Sequence, residues 1–233
     1  MLSDMMICSR YHMNALFCLP FFLDEFAGRA QEASEMFAEM QERGIKPGKI
    51  SYNVMINAYG AAGLYTEAEG LLQAMQKNGC CPDSLTYLAH IRAYTQSKNL
   101  SEAEQTLSSM QKQGIQPSCA HFDLLMSAFA KAGLIKEAER VFKNMLASGL
   151  RPDLVCYRTM LRGFLDCGYV DEGLSFFKKI QESVEPDRFI MSAAVHLYKS
   201  AGHDQEAEVI LNSMNDLGIP LKKLQIRSRM RTP

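Results

Sequence analysis

A period of 35 residues constrains this chain more than any other feature. Met40, Met75, Met110 and Met145 stand 35 apart, Ile180 continues the series at 35, and Met214 follows at 34. Prolines run in step at Pro47, Pro82, Pro117, Pro152, Pro186 and Pro220. A Glu-Ala pair keeps the same register at Glu32-Ala33, Glu67-Ala68, Glu102-Ala103, Glu137-Ala138 and Glu206-Ala207, with Glu172-Gly173 as its variant. Such self-similarity means that one supersecondary unit is written several times.

Each unit carries two helical patterns. The first places apolar residues at i, i+4 and i+7, which lie on one helix face: Tyr52, Ile56, Tyr59; Tyr87, Ile91, Tyr94; Phe122, Met126, Phe129; Tyr157, Leu161, Phe164; Met191, Val195, Tyr198. The second runs Ala68, Leu71, Leu72, Met75, and is repeated as Ala138, Val141, Phe142, Met145. Gly63, Gly133, Gly168 and Gly202 separate the two patterns, where a helix end favours a positive φ; Lys98 takes that place once, which predicts a turn that is either strained or differently shaped. A second glycine at Gly44, Gly79, Gly114, Gly149 and Gly218 ends the second helix, and the proline blocks its continuation.

One hairpin of 35 residues cannot cover its own apolar stripe, whereas stacked hairpins can. The expected fold is all-α, an α-solenoid of stacked helix-turn-helix repeats. The boundaries read as an irregular segment over 1–27, a half repeat over 28–47, five repeats over 48–220 and a basic tail over 221–233.

The apolar fraction of 47% is enough for a core, and the net charge of −1 gives no global attraction for a polyanion. The seven cysteines are irregularly spaced with no C-x-x-C, which reads as reduced, mostly buried thiols of an intracellular protein. No apolar run is long enough to span a bilayer. The five histidines share no metal-ligand spacing, and His90 and His196 read as surface or packing residues. Glu67 and its copies suit the positive end of a helix without any catalytic role. No nucleophile elbow, P-loop or H-E-x-x-H occurs, so neither a cofactor nor a catalytic activity is expected.

The stretch "ISYNVMINAYGAAGLYTEAEGLLQAMQKNGCCPD", Ile50 to Asp83, resembles the pentatricopeptide repeat: an aromatic-Asn start, an A-G turn, an E-A pair, a late Met and a closing G-x-x-P-D. The likeness runs from about Gly28 to Pro220 with nearly uniform pitch, as in the pure (P) class of the family. It implies a right-handed superhelix whose concave groove binds single-stranded RNA, one base per repeat, read by two side chains. The first reader follows the aromatic of helix one and the second opens the next unit. That pairs Asn53 with Asp83, Leu88 with Ser118, Asp123 with Asp153, Arg158 with Asp187, and Ser192 with Leu221. Only Asn53 with Asp83 matches the family's code, where it favours uracil. The residue three before each first reader sandwiches the base in the family, which points to Ile50, Leu85, Ala120, Val155 and Phe189. A lysine near the end of helix one approaches phosphate in the family, and Lys131 alone fits that place.

The resemblance implies action by occupancy on an organellar transcript, in processing, stability, splicing or translation, within a chloroplast or mitochondrion, the chloroplast being favoured. A helical-repeat scaffold for protein partners is the alternative reading. The opening segment, interrupted by Pro20, does not continue the repeat, so the chain reads as the C-terminal part of a longer array. The tail holds Lys222, Lys223, Arg227, Arg229 and Arg231, which can touch an RNA backbone or stay solvated.

Overall fold

The computed structural model describes residues 30–222 and residue 224. Eleven α-helices and no strand occur among the described residues: α1 (Ala30–Glu42), α2 (Lys49–Ala62), α3 (Tyr65–Lys77), α4 (Ser84–Gln96), α5 (Leu100–Lys112), α6 (Cys119–Ala132), α7 (Ile135–Ala147), α8 (Leu154–Cys167), α9 (Val170–Ser183), α10 (Arg188–Ser200) and α11 (Asp204–Asp216). After α1 they alternate as first and second helices of hairpins, so the all-α helical-repeat reading holds. Two compact bodies divide the chain, the first running to His121 and the second starting at Phe122, inside α6. In the first body α2 packs on both α3 and α4; in the second α10 packs on α8, α9 and α11.

The periodic columns are the core. Met40, Met75, Met110, Met145, Ile180 and Met214 are all buried, as are Ala68, Ala103, Ala138 and Ala207. The first helices contribute Tyr52, Tyr87, Phe122 and Tyr157, and Ile56, Ile91, Met126, Leu161 and Val195, all buried as well. Each large apolar side chain so placed is worth about 1.5–3 kcal/mol of transfer free energy. A hairpin alone would leave much of this area wet.

The turns show why the period is kept. In the first hairpin Gly63 takes φ +73°, its N–H reaches Gly60 O, and Leu64 N–H reaches Tyr59 O at 2.9 Å. This is the Schellman arrangement, in which a left-handed residue lets two late carbonyls find donors. Lys98 adopts the same turn with φ +63°, and is the only non-glycine with positive φ among the described residues. The second helices close likewise: the carbonyls of Met40, Met75, Met110, Met145 and Met214 each accept from the residue just after a left-handed glycine. At α9 that glycine is missing. Val184 is extended and bonds directly to Ile180 O. That shorter exit is where the 35-residue pitch falls to 34.

Among the described residues no helix is long and apolar enough to cross a membrane, and no acidic, His or Cys cluster is arranged for a metal ion. One expectation changes. Of the five cysteines described as free, only Cys156 is buried, while Cys81 is exposed, because Cys80 and Cys81 fall in a turn rather than on an apolar face. Of the two roles left open for His90, the structure gives it packing: it is 4% exposed, in the column otherwise held by Met55, Leu125, Met160 and Ala194.

Candidate nucleic-acid interface

The first member of each sequence-predicted pair is the fifth residue of its first helix, and the second, Leu221 apart, lies just before the next first helix. Ile50, Leu85 and Val155 are large apolar residues exposed to solvent, at 58%, 66% and 48%. An exposed aliphatic recurring at one register is unspent apolar surface next to each reader. Ala120 at the same register is exposed and Phe189 is half-buried.

Asn53 and Asp83 are brought together, and a third residue completes them. Asn53 donates from Nδ2 to Asp83 Oδ1 at 3.2 Å. Thr86 donates its hydroxyl to Asn53 Oδ1. The same Thr86 oxygen accepts from Asp83 N–H at 3.1 Å, and Thr86 N–H donates to Asp83 Oδ1 at 3.0 Å, a capping box that starts α4. Both ends of the Asn53 amide are therefore fixed. Each bond uses only part of what an amide offers, because its oxygen has two lone pairs and its nitrogen two hydrogens. Burial works to raise the Asp83 carboxyl, but the bonds from Thr86 and Asn53 and the Lys49 ammonium 3.7 Å away hold it below the ordinary value. Thr86 was not singled out in the sequence; its signal was the Asp83-x-x-Thr86 capping pattern, which no other repeat shows, since Ser51, His121, Cys156 and Ile190 fill that column.

The other pairs differ. Leu88 is half-buried, and Ser118 is engaged by His121: its N–H meets Nδ1 at 3.2 Å and its hydroxyl lies 2.9 Å away. The far ring nitrogen of His121 faces Ser84 O at 2.9 Å, so the proton sits on Nε2. Asp123 is half-buried with an Oδ1 that has no hydrogen-bond partner. Burial pushes its carboxyl up; a bond from Thr159 and the charge of Lys131 oppose this, while Asp153 adds to it. Asp153 itself caps α8 through Cys156 N–H at 2.9 Å. Arg158 forms a close ion pair from Nη2 to Asp187 Oδ2, while Asp187 Oδ1 caps α10 through Ile190 N–H at 2.9 Å. Ser192 is fully buried, its hydroxyl donating to Arg188 O and accepting from Lys222 N–H, and Leu221 beyond it is 41% exposed. Lys131 is exposed at the end of α6, on the wall of a cavity of about 420 Å³ that Arg158 and Arg162 also line.

Family models for the PPR repeat match residues 26–59, 47–93 and 119–166 in one form and 86–115 and 155–183 in another. Together these cover well over half of the chain. The chain belongs to the pentatricopeptide repeat family. Among solved structures, the pentatricopeptide repeat protein PPR10 in complex with an 18-nt psaJ RNA element is 26% identical, with a TM-score of 0.64 over 79% of this chain and 27% of that one. PPR10 from maize, in a further structure, is 20% identical, with a TM-score of 0.61 over 91% of this chain and 34% of that one. The PPR domain of Arabidopsis thaliana protein-only RNase P 1, in complex with tRNA, is 16% identical, with a TM-score of 0.63 over 80% of this chain and 99% of that one; at that identity the likeness concerns the fold. This pentatricopeptide repeat chain thus spans between a quarter and about a third of PPR10. No curated protein matches its sequence significantly.

Proposed function

We propose that this pentatricopeptide repeat chain binds single-stranded RNA through the starts of its first helices and acts by occupancy, without bond chemistry, on an organellar transcript. The observation that carries the reading is the Asn53 amide, held from one side by Asp83 and from the other by Thr86, with exposed Ile50 and Leu85 at the flanking register. An oriented amide presents a donor beside an acceptor. Uracil offers the complement: N3–H to the amide oxygen, and a carbonyl to the remaining amide hydrogen. The family resemblance and the RNA complexes of its structural neighbours support the reading.

The electrostatics set how tightly it binds. Lys131 is the one lysine in the family's phosphate position, and Asp123 with Asp153 oppose a polyanion nearby. Few phosphates are neutralised, so the salt dependence should be shallow. Base contacts then carry a large share of the affinity.

Fluorescence anisotropy with single-stranded oligomers tests this. U-containing RNA should bind more tightly than U-free RNA of equal length, and Asn53→Ala should remove that preference. A chain that retains no RNA at low salt, and instead holds a protein partner stably, would support the scaffold reading. Localising the native full-length protein tests the organellar setting.

A further inference from the structure

We propose that the Arg158–Asp187 pair, with Phe189, forms a guanine-selective position in this array; the inference rests on the RNA-binding reading above. Arg158 occupies the reader position that Asn53 holds in the first full repeat, and Asp187 grips it as Asp83 grips Asn53. In both places the aspartate divides its labour. One interaction caps the following helix, through Ile190 N–H or Thr86 N–H, and another fixes the reader. The frame is conserved between the two repeats of this chain while the chemistry of the reader changes from an amide to a guanidinium.

That change alters which base fits. A guanidinium has five N–H donors and no acceptor, and the ion pair engages Nη2 alone. Arg158 Nε is enclosed by protein and has no partner. A donor-only fork held in one orientation suits an edge with two adjacent acceptors, which guanine presents as O6 and N7. Adenine places an amino donor beside N7, and uracil places N3–H beside each carbonyl, so each sets a donor against the fork; cytosine offers O2 beside N3, and against it the discrimination rests on the larger stacking surface of a purine.

The surroundings favour a purine as well. Arg158 lines the cavity of about 420 Å³ together with Ser127, Lys131, Thr159, Arg162 and Phe189. Phe189, at the start of the next repeat, stands at the register where the others carry Ile50, Leu85, Ala120 and Val155, so it is the one aromatic there; the Lys222 ammonium, 5.3 Å from the ring centroid, takes one face and leaves the other for a base. Base–aromatic stacking strengthens binding at any base and gains most from the larger purine surface. Val155, exposed at the preceding register, is available for the opposite base face.

Selection of the whole chain against a pool of random RNA oligonucleotides tests the proposal. The retained pool should carry a guanine at one position, favoured by about tenfold over the other bases, as a good bidentate contact gives. Arg158→Ala should erase that guanine and leave the Asn53-dependent uracil in place. Arg158→Asn, which gives Asp187 an amide to hold, should convert the position to a pyrimidine; it also guards against a fold lost through an unpaired Asp187. Phe189→Ala should weaken binding severalfold without changing the base. Identical pools from the wild type and Arg158→Asn, with uracil still Asn53-dependent, would overturn the guanine position while leaving RNA binding intact. No RNA retained by the wild type would overturn both.

Discussion

Asp83 grips Asn53 with the same carboxylate oxygen that starts α4: Oδ1 accepts from Asn53 Nδ2 at 3.2 Å and from Thr86 N–H at 3.0 Å. Holding the Asn53 amide and starting α4 are therefore coupled at one atom, and two substitutions separate them. Asp83→Ala removes the cap and the grip together. It should cost about 1 kcal/mol of stability and abolish the uracil preference. Asp83→Ser keeps a capping oxygen but is too short to reach Asn53, so thermal stability should return while the preference does not. Melting curves and anisotropy on both variants check this. Full uracil preference in Asp83→Ser would show that Thr86 alone orients the amide.

His90 makes stability depend on pH. Both ring nitrogens lie in the core without hydrogen-bond partners, with the ring of Tyr94 4.9 Å away. Burial drives its pKa down to about 4, against a smaller upward pull from Glu69. A histidine whose folded pKa is depressed favours folding while it stays neutral. Its contribution is complete above the unfolded value near 6.5 and is lost as pH falls from there towards 4. The loss is on the order of 3 kcal/mol at about 1.4 kcal/mol per unit. His90→Met restores the apolar residue found at Met55 and Met160. It should flatten that part of the pH profile and add roughly 1–2 kcal/mol at neutral pH by removing two unpaired polar atoms. Urea denaturation at pH 7 and pH 4.5 measures both effects. An equal drop in the variant would place the acid sensitivity elsewhere.

What the sequence made legible was what the period could carry. Met40 to Met214, the Ile56 column, the Tyr52 column apart from the half-buried Met191, and the turn glycines are buried or left-handed as their register required, because every copy faces the same packing problem. Departures from a column were less legible. For His90 the sequence left surface and packing roles open, because histidine is polar, and the column, not the residue type, sets its depth. Thr86 escaped notice because its hydroxyl acts on Asn53, 33 positions earlier, and that distance closes only when hairpins stack. Ser192 has the residue type of a reader, yet its hydroxyl is spent on Arg188 and Lys222. Its column gives position, and only the neighbours decide whether a side chain is available.

Lys98 stands in a glycine's conformation. At φ +63° its Cβ crowds the backbone, a cost of roughly 1–2 kcal/mol for a non-glycine residue. The turn bonds from Lys98 to Thr95 O and from Asn99 to Tyr94 O hold it there. Lys98→Gly should raise stability by about 0.5–1 kcal/mol, since the relieved strain exceeds the added freedom of the unfolded chain. That corresponds to a melting temperature higher by about 1–4 °C. Gly63→Lys, the mirror substitution at Gly63's own φ of +73°, should lower it comparably. Opposite signs in the two melting curves are the expected result, and a neutral Lys98→Gly would mean the turn carries no strain.

Gly173 and Leu197 form a compensated pair within the second body. Gly173 takes the place of Ala68, Ala103, Ala138 and Ala207, while Leu197 stands in the small-residue column of Ala58, Ala93, Ala128 and Gly163. In the first body the corresponding Ala68 and Ala93 belong to one buried cluster. In the second, a Cβ added at Gly173 would lie 2.9 Å from Leu197 Cδ2 and 3.2 Å from Phe164 Cβ. The leucine has filled the space that the missing methyl vacated. Gly173→Ala should therefore cost about 1–2 kcal/mol through overpacking, despite alanine's better helix propensity. Leu197→Ala should cost about 2–4 kcal/mol by leaving a cavity. The double variant recreates the alanine pair of the first body and should lose less than the two single losses combined, with a coupling of about 1 kcal/mol or more. Urea titrations of the four proteins give the cycle directly. Additive losses would show that Phe164 Cβ, not Leu197, excludes the methyl.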